Sequence, residues 1–427
     1  MERPNTEHST ALAIATFRHK KQQVETQEHI DELALLSETY GVPVIHKELV
    51  HAREYNASTF ISQGKLEELI ELAKSLNVSL ILFDDEISPA QQRNLERRFE
   101  LTVMDRTELI LEVFYQRAQT KEAHLQIELA HAQYQFPRLK RMWTHLSRQT
   151  ATAGTAGGAY LKGVGEKQIE IDRRLLEKRI AQLKKQLSEV EQHRETQRSA
   201  RHSALIPIFA IVGYTNAGKS TLINALTDAG TFVEDKLFAT LDTTTRKMHL
   251  SCGQELLLID TVGFIRKLPH QLVAAFKSTL EEAIAVDVLL HVIDVTHHAA
   301  MEQAETTLKV LKELGAANKP IITLLNKIDL LEDQSVLMRF RLRFPKCVAI
   351  SAKERLGFDA LEETIRQEIK LTRQHMLLKI PYVEQSLVYE IQRNALVHSV
   401  DYTNDEILID AELPVALAGR LRKYSCE

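Results

Sequence analysis

Cysteine is scarce in this 427-residue chain, which contains only Cys252, Cys347 and Cys426. They form no ligand-spaced pair and no disulfide framework, which excludes a cysteine-ligated metal centre and a disulfide-stapled secreted fold. Long apolar runs are missing as well, and none approaches the ~20 residues of a membrane-crossing helix. The opening stretch, Met1 to Thr10, is polar and mixed in charge, without the apolar region of a signal peptide. A soluble cytoplasmic protein with no membrane span is the resulting expectation. Nor is there a surplus of positive charge. The net charge of −4 excludes a globally basic nucleic-acid coat but leaves local basic patches open. What is present is 44% hydrophobic content, sufficient for ordinary cores, over a length holding roughly two to four domains.

The chain is organised around Gly213-Tyr214-Thr215-Asn216-Ala217-Gly218-Lys219-Ser220-Thr221. An apolar run, Leu205 to Val212, leads in, and a helix-capable run, Ser220 to Thr227, leads out. In that context a GxxxxGK[ST] match reads as a phosphate cradle. Gly213 and Gly218 let the backbone wrap a polyphosphate and aim N–H groups at it, at the positive end of the following helix. Lys219 offers a point charge to β- and γ-phosphates, and the Ser220 hydroxyl can ligate Mg²⁺.

Upstream, strands and helices alternate. Ala11–Phe17, Val42–Ile45, Ser79–Phe83 and Leu101–Met104 read as strands, and Ile30–Tyr40, Lys65–Leu76, Ser88–Phe99 and Thr107–Gln119 as helices. Ser88 is placed to cap its helix, with Pro89 in the first position. This order implies a mostly parallel sheet covered by helices. Asp84, Asp85 and Glu86 fall at a strand end and read as solvated acids rather than a metal cluster. Thr120 to Gln149 is long and helix-prone, with Leu125, Leu129 and Ala132 forming a seam. Near its end stand Arg138, Lys140, Arg141 and Arg148, with Trp143 and His145 interleaved. A second helix, Glu166 to Arg201, spaces Leu176, Ile180, Leu183, Leu187 and Val190 as a coiled-coil seam. Together they read as a hairpin with a glycine-rich tip, Gly154 to Glu166. The tip is either a disordered loop or an RNA probe, and composition does not choose between them.

Beyond the phosphate loop, Met248–Leu250 and Glu255–Ile259 suit a hairpin whose second strand runs into Asp260-Thr261-Val262-Gly263. Asp260 can hold Mg²⁺ through water, and the Gly263 amide can sense a γ-phosphate. Strand Leu289–Ile293 follows, then Ile321–Leu325 ending in Asn326-Lys327-Ile328-Asp329. A buried Asp329 carboxylate can accept the two adjacent donors of guanine, and leaving it unpaired would reject adenine. Asn326 can order the loop, and the stem of Lys327 can lie along the ring. After the last strand, Val348–Ile350, comes Ser351-Ala352-Lys353, whose Ala352 amide can donate to guanine O6. Phe264 stands where a water-orienting Gln is common, which implies slow intrinsic turnover completed by a partner. Gln271 to Ala285 reads as the helix after this switch, and Glu384–Ala395 and Glu406–Ile409 as helix and strand of a tail without assigned chemistry.

These motifs resemble the translation-factor-like P-loop GTPases, and the whole chain resembles the HflX family. The resemblance rests on Ser58 to Glu68, Asp85 to Leu95, Asp105 to Leu111, Gln126 to Ala130, Pro137 to Leu139 and Leu146 to Gln149. It continues in the switch Phe238-Ala239-Thr240-Leu241-Asp242. It implies a multidomain α/β fold. An N-terminal parallel-sheet α/β domain spans 1–119, a helical hairpin 120–204, a Ras-like P-loop GTPase domain 205–371 and a small α/β C-terminal domain 372–427. It further implies a monomeric GTPase that binds the large (50S) ribosomal subunit and its rRNA, through the tip and the basic hairpin residues, and splits ribosomes under stress. Lys219, Thr240 and Gly263 would serve hydrolysis, with Mg²⁺ on Ser220 and Thr240. Thr243, Thr244 and Thr245 rival Thr240 as ligand. Asn216 resembles a K⁺-holding residue of some relatives, against the alternative of a polar loop residue bonding its own backbone.

Two departures from the family pattern stand out. Thr243 replaces a usual Pro, and the tip reads Lys162-Gly163-Val164 where Arg-Gly-Pro is usual. A GTPase gating RNA modification or large-subunit assembly is the competing reading, weakened by the lack of a cysteine cluster. The complete set of guanine motifs argues against a non-hydrolysing binding module.

Overall fold

The computed structural model describes residues 9–152, 170–190, 206–227, 237–238, 244–251, 254–267, 286–371, 373–403 and 406–426. The chain forms two compact units. The first holds the N-terminal residues to Glu189 and also Leu237-Phe238 and Arg266-Lys267; the second holds the rest of the central and C-terminal chain.

In the first unit, β1 (Ala11–Phe17), β2 (Val44–His51), β3 (Leu80–Phe83) and β4 (Thr102–Asp105) form a parallel sheet in the order β2-β1-β3-β4. β1 and β3 are buried along their whole length because helices cover the sheet, so their sequences run apolar without alternation. The helices are α1 (Gln23–Tyr40), α2 (Gln63–Ser75), α3 (Pro89–Phe99) and α4 (Arg106–Arg117). At α3 the Ser88 hydroxyl accepts from the Gln91 amide at 3.3 Å, and the Gln91 carboxamide accepts from the Ser88 amide at 2.9 Å. This reciprocal cap and Pro89 fix where the helix begins. Leu12, Ile14, Leu66, Leu69, Phe83, Leu95 and Phe99 close the core between sheet and helices.

α5 (Lys121–Thr152) is one long helix despite Pro137, and residues 170–190 form a second helix, α6. Leu125 and Leu129 of α5 pack on Leu183 and Leu187 of α6, with Ile180 alongside. The seam spacing thus produces a helical pair. The tip, Gly154–Glu166, lies outside the described residues.

At the end of β3, Glu86 is exposed and Asp85 half-buried, but Asp84 corrects the expectation of a solvated group. Asp84 is 2% exposed and bonded to Arg106, and among the described residues no cluster of His, Cys, Asp and Glu is arranged to hold a metal. Arg106 lies inside the same core, so the carboxylate is held by a cation instead of water.

The second unit contains β5 (Ile208–Gly213), β6 (Thr245–His249), β7 (Glu255–Asp260), β8 (Val288–Asp294), β9 (Ile321–Asn326) and β10 (Cys347–Ala349). Their order is β10-β9-β8-β5-β7-β6, parallel except for the β6–β7 hairpin. α7 (Lys219–Thr227) follows β5; further helices are Ala300–Glu313, Val336–Arg343 and Phe358–Leu371. Phe209, Ile211, Leu222, Leu256, Leu258, Leu290 and Leu324 form the central core. A polar group sits in the middle of β8. His291 is 1% exposed, against Phe344, and burial pushes its pKa down to about 4.

The same unit ends in an antiparallel sheet, β11 (Arg373–Pro381), β13 (Glu406–Pro414) and β12 (Leu396–Tyr402), in that order, with helices Gln385–Asn394 and Val415–Leu421. Leu378, Ile380, Ile407 and Ile409 alternate inward toward those helices. Among the described residues, no helix is long and apolar enough to cross a membrane. The predicted helix Gln271–Ala285 falls outside the described residues.

Candidate nucleotide site

The site grows from the end of β5, a strand buried throughout in the middle of its sheet. At Gly213 the chain turns so close to β8 that a Cβ would lie 2.4 Å from the Val292 carbonyl oxygen. Gly218 has φ +93°, and a Cβ there would meet the Asn326 carboxamide at 2.2 Å. Those two contacts set the GxxxxG spacing, since no other residue fits either corner. Asn216, exposed between them, has φ +60°. This left-handed conformation is one that Asn tolerates better than most residues.

α7 opens with Lys219, which is 7% exposed. Its ammonium donates to the Tyr214 carbonyl oxygen at 2.7 Å. Burial lowers its pKa from 10.5 to about 8, partly opposed by the charge of Asp260. Ser220 and Asp260 face each other, with Oγ 3.4 Å from a carboxylate oxygen. Asp260 is delivered by β7, in register with Ile211 of β5, and the Thr261 hydroxyl fixes the turn by donating to the Ile211 carbonyl at 2.6 Å. A hydroxyl and a buried carboxylate meeting beside a lysine are the hard oxygen ligands that Mg²⁺ selects, so the residues present fit the ion.

Past Val262 the chain folds back on the phosphate loop. The Thr215 amide donates to the Phe264 carbonyl at 2.8 Å, and the Phe264 amide to the Gly213 carbonyl at 3.0 Å. Gly263 is pressed against Lys219, where a Cβ would lie 2.8 Å from Nζ. Phe264 itself is buried, so its side chain serves packing.

Asn326, at the end of β9, ties two loops together. Its amide nitrogen donates to the Ala217 carbonyl at 2.8 Å, and its oxygen accepts from the Ala352 amide at 2.9 Å. The Ala352 amide, expected to stand ready for a base, is thus engaged with Asn326. Ser351 is buried and caps its own turn by accepting from the Glu354 amide at 3.1 Å, while Lys353 is exposed. Lys327 has φ +66° and an ion pair to Asp294 at 2.7 Å. Asp294 went unnoticed in the sequence. Its signal was a lone acid closing the buried strand β8, in register with Asn326. Asp329 corrects the expectation of a buried carboxylate: it lies exposed in the short helical turn Ile328–Leu330.

Of the first switch, Phe238 is described, buried and edge-on to Phe114 with ring centroids 4.5 Å apart. Ala239, Thr240, Leu241 and Asp242 lie outside the described residues, as does the rival Thr243, while the rival Thr245 opens β6 directly after Thr244. The basic hairpin group needs a correction at Arg138. Its guanidinium is bonded to Asp105 at 2.8 Å, Gln92 at 2.5 Å and the Ile87 carbonyl at 3.2 Å, and lies 3.7 Å over the Tyr134 ring. Those donors are committed to the first unit, not to a phosphate backbone. The side chains of Lys140, Arg141 and Arg148 are outside the described set.

Three family profiles match the chain: "GTP-binding GTPase N-terminal" over residues 27–115, "GTP-binding GTPase Middle Region" over 117–201, and "50S ribosome-binding GTPase" over 208–327. The chain is 46% identical to a GTPase HflX of Chlamydia pneumoniae over 425 residues, 99% of this chain and 90% of that protein. The chain belongs to the HflX GTPase family. The HflX GTPase of Escherichia coli (strain K12) is 43% identical over 378 residues, 87% of this chain and 86% of its own length. Among solved structures, a complex of SsGBP with GDP matches with a TM-score of 0.49 and 26% identity, covering 84% of this chain and 98% of that one. Membership of the HflX family makes the chain a GTPase.

Proposed function

We propose that the chain binds GTP, hydrolyses it to GDP and phosphate, and couples that cycle to the large ribosomal subunit, whose dissociation from 70S particles under stress it promotes. The observation that carries this reading is the convergence of Lys219, the Ser220–Asp260 pair and Gly263 at one end of the sheet. The second support is the family description of a 50S ribosome-binding GTPase over residues 208–327.

In this reading the amides of Gly213–Thr221 and the Lys219 ammonium hold the phosphates, and the Gly263 amide contacts the γ-phosphate. Mg²⁺ would be held by Ser220 and Thr240, with Asp260 through water; when bound it neutralises charge between the β- and γ-phosphates. Asn216 would be the residue to hold K⁺ in this reading. Asp329 reads guanine, and Asn326 and Lys327 shape the base pocket with Ser351, Ala352 and Lys353. Val262 and Phe264 wall off the phosphate end. Phe264, which follows the DTVG turn, cannot polarise water, so the partner particle supplies that group, and turnover alone is slow. The protein acts as a cytoplasmic monomer, its hairpin tip and Lys140, Arg141 and Arg148 reaching rRNA.

The test is co-sedimentation of the full chain with 50S particles in GTP, GDP and a non-hydrolysable GTP analogue, with GTPase rates in parallel. Analogue-dependent pelleting and a rate gain of at least tenfold are expected. Full-rate hydrolysis with no gain from added subunits sinks the partner-completed mechanism, and binding that ignores the nucleotide favours a role in subunit assembly.

A further inference from the structure

Within the second unit, Lys327 is constrained at both ends. Its backbone is held at φ +66°, a left-handed conformation unfavourable for any residue with a Cβ. On one side stands Asn326, committed to Ala217 and Ala352; on the other, the Ile328 amide donates to the Ile350 carbonyl at 3.3 Å. At the far end of the side chain, the ammonium meets a carboxylate oxygen of Asp294 at 2.7 Å. Backbone and tip are both fixed, and the four-carbon stem spans the gap between them.

Asp294 divides its two oxygens between two tasks. One accepts from the Thr296 amide at 3.0 Å and from the Thr296 hydroxyl at 2.6 Å, which sets the turn leaving β8. The other takes Lys327. The acid does not drift, because Asp294 is in register with Asn326 and the Val295 amide donates to the Asn326 carbonyl at 3.2 Å. Its side chain is 13% exposed and that of Lys327 26%, so water competes only partly for the pair. A lysine side chain left free loses rotamer freedom whenever a ligand orders it. Here the clamp has ordered it beforehand, which spares an incoming ligand that cost.

We propose that Asp294 is a positioning residue for the guanine pocket. By clamping the Lys327 ammonium it presets the lysine stem as an apolar wall for the face of the purine ring. That wall meets the ring's face and is blind to its edge, so it adds affinity without choosing between purines; the choice stays with Asp329. This deepens the guanine-nucleotide reading and rests on it.

The test titrates the full chain calorimetrically with GDP and with inosine diphosphate, which keeps the purine ring but lacks the 2-amino group. Lys327→Met keeps a stem and removes the ammonium; Asp294→Asn keeps an acceptor for Thr296 and removes the anion. Each is expected to weaken both nucleotides by the same factor, about three- to tenfold, leaving their ratio as it was. Asp329→Ala, in contrast, should bring that ratio toward one. Lys327→Arg, which keeps the pair, should stay within about twofold of the unaltered chain, and Lys327→Met should add nothing in the Asp294→Asn background. A role for Asp294 confined to the Thr296 turn predicts a silent Lys327→Met. That result, additive losses in the double variant, a changed nucleotide ratio in either clamp variant, or an arginine variant behaving like methionine overturns the proposal. Should Asp294→Asn fail to fold, the lysine variants decide alone. Absence of GDP binding by the unaltered chain, or an unmoved ratio in Asp329→Ala, overturns the guanine reading itself.

Discussion

Asn326→Ala isolates the tie between the phosphate loop and the base loop. Its carboxamide is 2% exposed and fills two roles at once, donating to Ala217 and accepting from Ala352. Truncation removes both bonds and leaves a carbonyl and an amide in a buried place. Orphaning each costs about 1–3 kcal/mol, so the expected loss is about 2–6 kcal/mol, reduced if water enters the gap. For a unit of this size that lowers the midpoint of its unfolding transition by roughly 5–15 °C. Calorimetry on the full chain without added nucleotide reads this directly, provided the two units are fitted as separate transitions. Asn326→Asp is the sharper control: it keeps the acceptor for Ala352 but turns an anionic oxygen toward the Ala217 carbonyl. It should be at least as damaging as Ala, although it conserves volume. A shift below about 2 °C in the alanine variant would refute the claim that these bonds join the two loops.

His291 gives a pH signature. Its folded pKa is about 4 against 6.5 unfolded, so the unfolded chain binds more protons between those values. The favourable neutral state is fully present above pH 6.5 and is lost as pH falls through 4, by up to about 3 kcal/mol. Urea titrations at pH 7 and pH 4.5 should show His291→Leu losing less stability on acidification than the unaltered chain; equal losses would point elsewhere. Arg138→Ala removes a cation that is mostly buried against Asp105, and should cost about 3–5 kcal/mol of first-unit stability in chemical denaturation. Arg138→Ala that folds with normal stability but binds rRNA poorly would restore the RNA role withdrawn above.

Much of the fold is readable locally. Uninterrupted apolar strands, the Ser88-Pro89 start and the Leu183/Leu187 seam are each decided by residues close in sequence, so periodicity and capping chemistry find them. The glycine corners are readable for the same reason: their chemistry is a backbone one, and the GxxxxGK spacing carries it. Long-range electrostatics is not. Nothing around Asp84-Asp85-Glu86 announces that Arg106 and Lys267 will close on the first of them, and a strand-end acid is usually wet. Arg138 misled in the same way, because a basic residue in a basic stretch looks like part of a patch until Asp105 is seen opposite. Asp329 failed for a different reason: the buried carboxylate was expected from a base-reading role, and in the short turn Ile328–Leu330 the side chain lies at the surface. The C-terminal strands β11 and β12 passed without notice because exposed His375, Lys379, Ser399 and Asp401 dilute their apolar alternation.

In the proposed reading, the bond between the Lys219 ammonium and the Tyr214 carbonyl bears on how tightly any nucleotide stays. An ammonium that must surrender one oxygen to take another contributes only the difference between the two. That exchange moderates affinity and quickens departure, a bias toward loading governed by the relative supply of tri- and diphosphate.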